Sequence, residues 1–184
     1  MSNLYTKDEL INMGMKVGDN VSISKRASIY SPSTIEIGDN VRIDDYCILS
    51  GNIKIGHNVH ISAFTALYGR FGIEIGNYCG CSPRCTLLSG SDDFSGEYMI
   101  SPMVPEEYTN VKGEKIIMKD YSQLGANSIV MPGITIGEGA ICGAMSYVNK
   151  DLDDWTMNVG IPVKYLRERK QNVKVLAKKY ENEV

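Results

Sequence analysis

The chain has 184 residues, 19 Lys+Arg against 22 Asp+Glu, a net charge of −3 and 43% hydrophobic residues. That is enough chain to bury a core without metal or disulfide staples, and the composition excludes a disordered segment. The slight acidity argues against a nucleic-acid binder, and no apolar run approaches the roughly 20 residues of a membrane span.

At the N-terminus, Thr6-Lys-Asp-Glu9 has capping-box spacing and predicts a short helix within residues 1–15, ending near Gly14. No signal-peptide apolar core is present there. With an odd count of five cysteines, this points to a reducing, cytoplasmic setting.

From Val17 onward the sequence has a period of six. Taking Ile37 as position one, all eighteen position-one residues from Val17 to Val148 are apolar, allowing breaks near Pro32, at Gly69–Gly72 and at one long loop. Position five holds small or branched residues such as Val21, Val59, Thr65, Ser122 and Ala140, a second inward set. Position two is often glycine, as at Gly38, Gly56, Gly76 and Gly137, which reads as a corner needing unusual backbone angles. Six residues then make a short strand plus a corner, and three units close a triangular coil. Cys47, Cys79, Cys81, Cys85 and Cys142 all fall at position one or five, so they read as core packing and not as a metal cluster.

Residues 88–115 interrupt the repeat with a polar loop too long for an idle connection, which favours a functional role. After Pro162, Leu166, Val173, Leu176, Ala177 and Tyr180 follow a helical stripe. This predicts a C-terminal helix over 163–184. Seven Lys/Arg against three Glu in residues 164–184 make its outer face basic.

The pattern from Val17 to Lys164 resembles the hexapeptide-repeat proteins. The resemblance implies one domain spanning 1–184 with an all-β fold, a left-handed parallel β-helix of about 5–6 coils over 17–160. The handedness comes from the resemblance alone, because general connection rules predict right-handed crossovers. It further implies a homotrimer with active sites in clefts between prisms. The family's zinc carbonic anhydrases need three histidine ligands, and this chain has only His57 and His60, so no metal is expected.

Leu124-Gly-Ala126-Asn, Cys142-Gly-Ala-Met-Ser146, Val148-Asn-Lys-Asp151 and Gly160-Ile-Pro-Val-Lys164-Tyr-Leu-Arg167 resemble, in order and spacing, the coenzyme A stretch of galactoside and related acetyltransferases. The resemblance implies acetyl-CoA or another acyl-CoA as co-substrate. Ala126 and Ala144 would lie along the pantetheine arm and Asn149 and Lys150 along the path to the nucleotide. Lys164 and Arg167 would meet the phosphates, where cations suit anions.

On the acceptor side the chain departs from galactoside-type enzymes. Ser91 stands where they carry a histidine base, and Gln123 replaces an aromatic residue. A hydroxyl nucleophile, with a pKa near water's value of about 15.7, needs a base during attack. An amine with a pKa of about 8 is already partly neutral at pH 7, so the site suits an amine. Ser91-Asp92-Asp93-Phe-Ser-Gly resembles acyltransferases acting on nucleotide-linked amino sugars. In that reading Asp92 or Asp93 anchors the ammonium or a sugar hydroxyl, Glu97 assists, Ser82 and Ser91 contact the acceptor, and the CoA sulfur takes the final proton. His60, at outward position six, is the candidate base or sugar contact, and His57 is a solvated corner residue. The expected activity is N-acylation of a nucleotide-linked amino sugar in surface-polysaccharide biosynthesis. The alternatives are sugar O-acetylation with His60 as base and a non-catalytic assembly subunit.

Overall fold

The computed structural model describes residues 3–183. Short strands stack in parallel on three faces, forming the expected left-handed β-helix. One face alone stacks Ser22–Ile23, Arg42–Ile43, His60–Ile61, Gly80–Cys81, Gln123–Leu124, Ile141–Cys142 and Thr156–Val159. That makes seven coils and corrects the expected 5–6. The last coil is hidden in the sequence because Asn158, paired beside Cys142, fills the inward slot where an apolar residue is expected. Its Nδ2 donates to Thr156 Oγ1 at 2.8 Å, which makes the buried amide tolerable.

Sixteen of the eighteen position-one residues are buried, and Val17 and Ile29 pack half-buried against the core. Cys47, Thr65, Ser122 and Ser128, all at position five, are fully buried. The five cysteines are free thiols inside the prism, as their positions predict.

The corners work differently from expectation. The left-handed residue is position four, not the glycine at position two: Asn40, Tyr46, Asn58 and Phe64 have φ of 55°, 62°, 57° and 63°. Each such non-glycine costs about 1–2 kcal/mol. Full burial of one Ile or Leu contributes about 1.5–3 kcal/mol, so the core outweighs the corners. The corner amides are also satisfied, as where Asn58 N donates to Asp39 O at 3.0 Å in the preceding coil. Glycine at position two answers crowding instead. A Cβ on Gly38 would lie 2.7 Å from Gly56 O.

A side-chain ladder runs up the corner beyond these glycines. Asp39 N donates to His57 Nδ1 at 2.9 Å, His57 N to Asn77 Oδ1 at 2.9 Å, and Asn77 N to Asp120 Oδ1 at 2.7 Å. His57 is therefore a structural rung and not merely solvated.

The ends are plugged by different devices. The predicted capping box forms, with Glu9 N donating to Thr6 Oγ1 and Thr6 N to Glu9 Oε2, but the helix is only Lys7–Asn12. Its Leu10 is buried against the core at the first coil. The C-terminal helix is Asn172–Glu183, shorter than the expected 163–184, because Lys164–Glu168 instead forms a strand antiparallel to Thr156–Val159. The helix lies against a corner ladder in which Tyr78 stacks on Tyr121 with centroids 5.4 Å apart and Tyr121 leans on Trp155. Tyr78 Oη donates to Glu181 and Lys174 pairs with Glu138. Of the predicted stripe only Ala177 is buried; Leu166, Leu176 and Tyr180 are exposed. Among the described residues, no helix is long and apolar enough to cross a membrane.

Candidate active site

Parallel stacking turns spacing along the chain into columns across coils. On the seven-coil face, position six reads Arg42, His60, Gly80 and Gln123 in successive coils. These four residues line a groove of about 400 Å³. Two of them share a partner: His60 Nε2 meets Asp44 Oδ2 at 2.8 Å, and Arg42 Nε donates to Asp44 Oδ1 at 2.7 Å. Partial burial works to raise the Asp44 pKa, yet these two partners outweigh it and hold the carboxyl below its ordinary value. Gln123 lies over Gly80, and its Nε2 donates to Ser82 Oγ at 3.1 Å and to Leu124 O at 3.2 Å. Arg42 and Asp44 carry no motif along the chain; reading down the position-six column is the signal that finds Arg42, and Asp44 follows as the partner it shares with His60.

The inserted loop builds a second cavity, of about 750 Å³. Tyr68, Arg70 and Phe71 line it from the prism, and Ser91, Asp92 and Asn110 from the loop. The loop is closed at its base, where Gly90–Ser91 pairs antiparallel with Lys112–Gly113 and Phe71 packs over both glycines. A Cβ on Gly113 would lie 2.0 Å from the Phe71 ring, so only glycine fits beneath it.

The adjacent aspartates separate sharply. Asp92 is exposed in the cavity, whereas Asp93 is buried. Asp93 Oδ1 accepts from Ser95 N at 2.8 Å, Oδ2 accepts from Asn110 Nδ2 at 2.8 Å, and Lys112 Nζ lies 3.3 Å away. The Ser95 bonds, with Asn110 and Lys112, hold its pKa well below the carboxylate range. A carboxylate so committed anchors the loop from within. Ser91 Oγ donates to Asp92 O at 3.2 Å, and Glu97 is exposed outside both cavities.

At the expected CoA edge, Ala126 and Ala144 follow strands that pair in register, and Met145 N donates to Ala126 O at 2.8 Å. A Cβ on Gly125 would lie 2.4 Å from Ala144 N, so small residues keep this edge low. Asn149 and Lys150 are exposed just beyond Tyr147–Val148. Lys164 and Arg167 lie on a strand and not on a helix. Lys164 pairs with Val159 and Arg167 with Met157, while Leu166 has no opposite residue at the register break. Val159 and Met157 are alternate residues of one strand, so the two cations share a face.

The sequence profile "Bacterial transferase hexapeptide (six repeats)" matches residues 34–69. The chain is 39% identical over 169 residues to the dTDP-4-amino-4,6-dideoxy-D-glucose acyltransferase of Escherichia coli, covering 90% of this chain and 88% of that one. The N-acyltransferase AntD from Bacillus cereus, solved as a serine variant with dTDP-4-amino-4,6-dideoxyglucose and coenzyme A, matches with a TM-score of 0.96 and 45% identity over 100% of both chains. An aspartate variant of AntD with dTDP and coenzyme A, substituted ten positions beyond that serine, matches with a TM-score of 0.97, 45% identity and the same coverage. A further AntD structure holds dTDP and 3-hydroxybutyryl-CoA, at a TM-score of 0.95 and 45% identity over 100% of this chain and 98% of that one. With its parallel prism, inserted loop and edge of small residues, the chain belongs to the hexapeptide-repeat acyltransferases that draw their acyl group from acyl-CoA.

Proposed function

We propose that the chain N-acylates the 4-amino group of a dTDP-linked 4-amino-4,6-dideoxy sugar, as a cytoplasmic homotrimer serving surface-polysaccharide biosynthesis. One observation carries the reading. The serine and aspartate varied in AntD lie ten positions apart, and Ser82–Asp92 is the one serine in this sequence followed ten residues later by aspartate.

The cavity beside Asp92 supports it chemically. A guanidinium, Arg70, and a carboxylate, Asp92, line the same space. A sugar nucleotide bearing an amine offers an anion and a cation at its two ends, matching that pair. The amine nitrogen attacks the thioester carbon, the C–N bond forms, and collapse breaks the C–S bond. The proton lost from nitrogen goes to the departing CoA sulfur. Ser82 and Asp92 flank the reacting groups, and Lys164 and Arg167 hold the CoA phosphates.

Thiol release measured with dTDP-linked amino and hydroxyl sugars, each against acetyl-CoA and longer acyl-CoAs, tests the reading. Turnover with the amino sugar and none with its 4-hydroxyl counterpart is expected. Turnover with the hydroxyl sugar alone would replace the amine by the O-acetylation alternative.

A further inference from the structure

Gly80 and Gln123 form a unit whose purpose is visible in its hydrogen-bond directions. Leu124 O can only accept, so the Gln123 atom 3.2 Å from it is the amide nitrogen. The same Nε2 donates to Ser82 Oγ at 3.1 Å. Ser82 Oγ is therefore an acceptor toward Gln123, and its own O–H must point elsewhere. Among the described residues its Oγ has no other partner. Gly80 makes the arrangement possible, since a Cβ there would lie 2.4 Å from Gln123 Oε1 and 3.2 Å from Nε2.

We propose that Gln123 is a positioning residue that fixes Ser82 as a hydrogen-bond donor to the thioester oxygen of the acyl-CoA as negative charge develops on it. The proposal rests on the reading of Ser82 as a residue at the reacting groups. A hydroxyl held by a donor behind it presents its proton ahead of it before reaction begins, which is the preorganisation that stabilises an oxyanion. No base is required of Gln123 or Ser82, in keeping with an amine nucleophile.

The test uses Gln123→Met, which keeps length but cannot donate, and Gln123→Glu, whose carboxylate reverses the bond and captures the serine proton. Gly80→Ala is the third variant, displacing the amide while leaving both partners intact. Ser82→Ala should lower kcat by about 10²–10³-fold, as loss of one oxyanion donor does. Gln123→Met and Gly80→Ala should each lower kcat about tenfold and Gln123→Glu more, with KM for acyl-CoA within about twofold and unchanged melting temperatures. The activity of Gln123→Glu relative to the unaltered enzyme should climb as pH falls from 8 toward 5, because a protonated Glu, with an ordinary pKa of about 4.3, donates again. In a Ser82→Ala background the Gln123 variants should add less than about twofold.

Loss in Ser82→Ala alongside an unaffected Gln123→Met, or full multiplication of the two losses, overturns the role of Gln123 and leaves the placement of Ser82 standing. Undiminished turnover of Ser82→Ala overturns both.

Discussion

Ser82 and Asp92 stand at opposite ends of one strand, Thr86–Leu88: Ser82 follows Gly80–Cys81 on the neighbouring face, and Asp92 lies beyond the strand in the loop cavity. The groove of Gln123 and the cavity of Asp92 share no lining residue. In the proposed trimer, a site using both groups is completed between two chains. Ser82→Ala and Asp92→Ala, each strongly impaired alone, should regain about a quarter of normal activity when co-refolded in equal amounts, because a cyclic trimer then forms that share of sites from two intact halves. Activity assays on the mixture check this, and no recovery would place both groups on one chain.

The contact of His60 Nε2 with Asp44 Oδ2 at 2.8 Å orients the imidazole without requiring it to take a proton from an amine. His60→Asn is expected to lower kcat less than tenfold, against the roughly 10²–10⁴-fold cost of losing a general base. The pH profile should follow the free acceptor amine to a plateau near its own pKa. An imidazole-like rise near about pH 6.5 that vanishes in His60→Asn would favour the hydroxyl acceptor.

Lys164 and Arg167 project from one face of an exposed strand, and in the proposed function they hold the CoA phosphates, remote from the reacting carbon. Lys164→Ala and Arg167→Ala should raise KM for acyl-CoA by a few-fold each while kcat holds. Because exposed charge contacts are screened over about 10 Å at 0.1 M salt, the effect should shrink as salt is added. Equal CoA affinity at low salt in both variants would remove them from the phosphate site.

The two adjacent aspartates should fail in different ways. Asp92→Asn is expected to weaken the acceptor's KM and lower kcat without changing loop protection. Asp93→Asn should instead loosen residues 88–115, seen as faster amide exchange and proteolysis. Since the Asp93 pKa is depressed on folding, its contribution is complete above the ordinary carboxylate value of about 3.9 and is lost as pH falls through the folded value. The loop should therefore hold at neutral pH and open only in strong acid.

The fold was legible because an inward slot every sixth residue tolerates almost nothing but apolar side chains, from Ile23 to Val148. The seventh coil escaped because Asn158 satisfies itself locally in that slot. Lys164–Glu168 escaped because a short amphipathic stretch ahead of a helix shares the helix's apolar spacing. Candidate site residues could be named where polar chemistry sits in one contiguous run, as at Ser91-Asp92-Asp93, though sequence alone could not tell the exposed aspartate from the buried one. Gln123 was readable only as a missing aromatic, because its partner Ser82 is 41 residues away and meets it only once the coils stack.

The five buried thiols have a practical chemical consequence. Burial pushes Cys47 and Cys85 up to about 11 and raises Cys79, Cys81 and Cys142 as well. The thiolate is the reactive form, so at neutral pH the folded chain should be nearly inert toward aromatic disulfides and alkylating agents. Coenzyme A liberated during turnover would then be the sole fast-reacting sulfur in solution, and a chromogenic thiol reagent would count catalytic events without a background from the enzyme. The same reagent becomes a reporter of unfolding, since all five sulfurs turn reactive together when the prism opens.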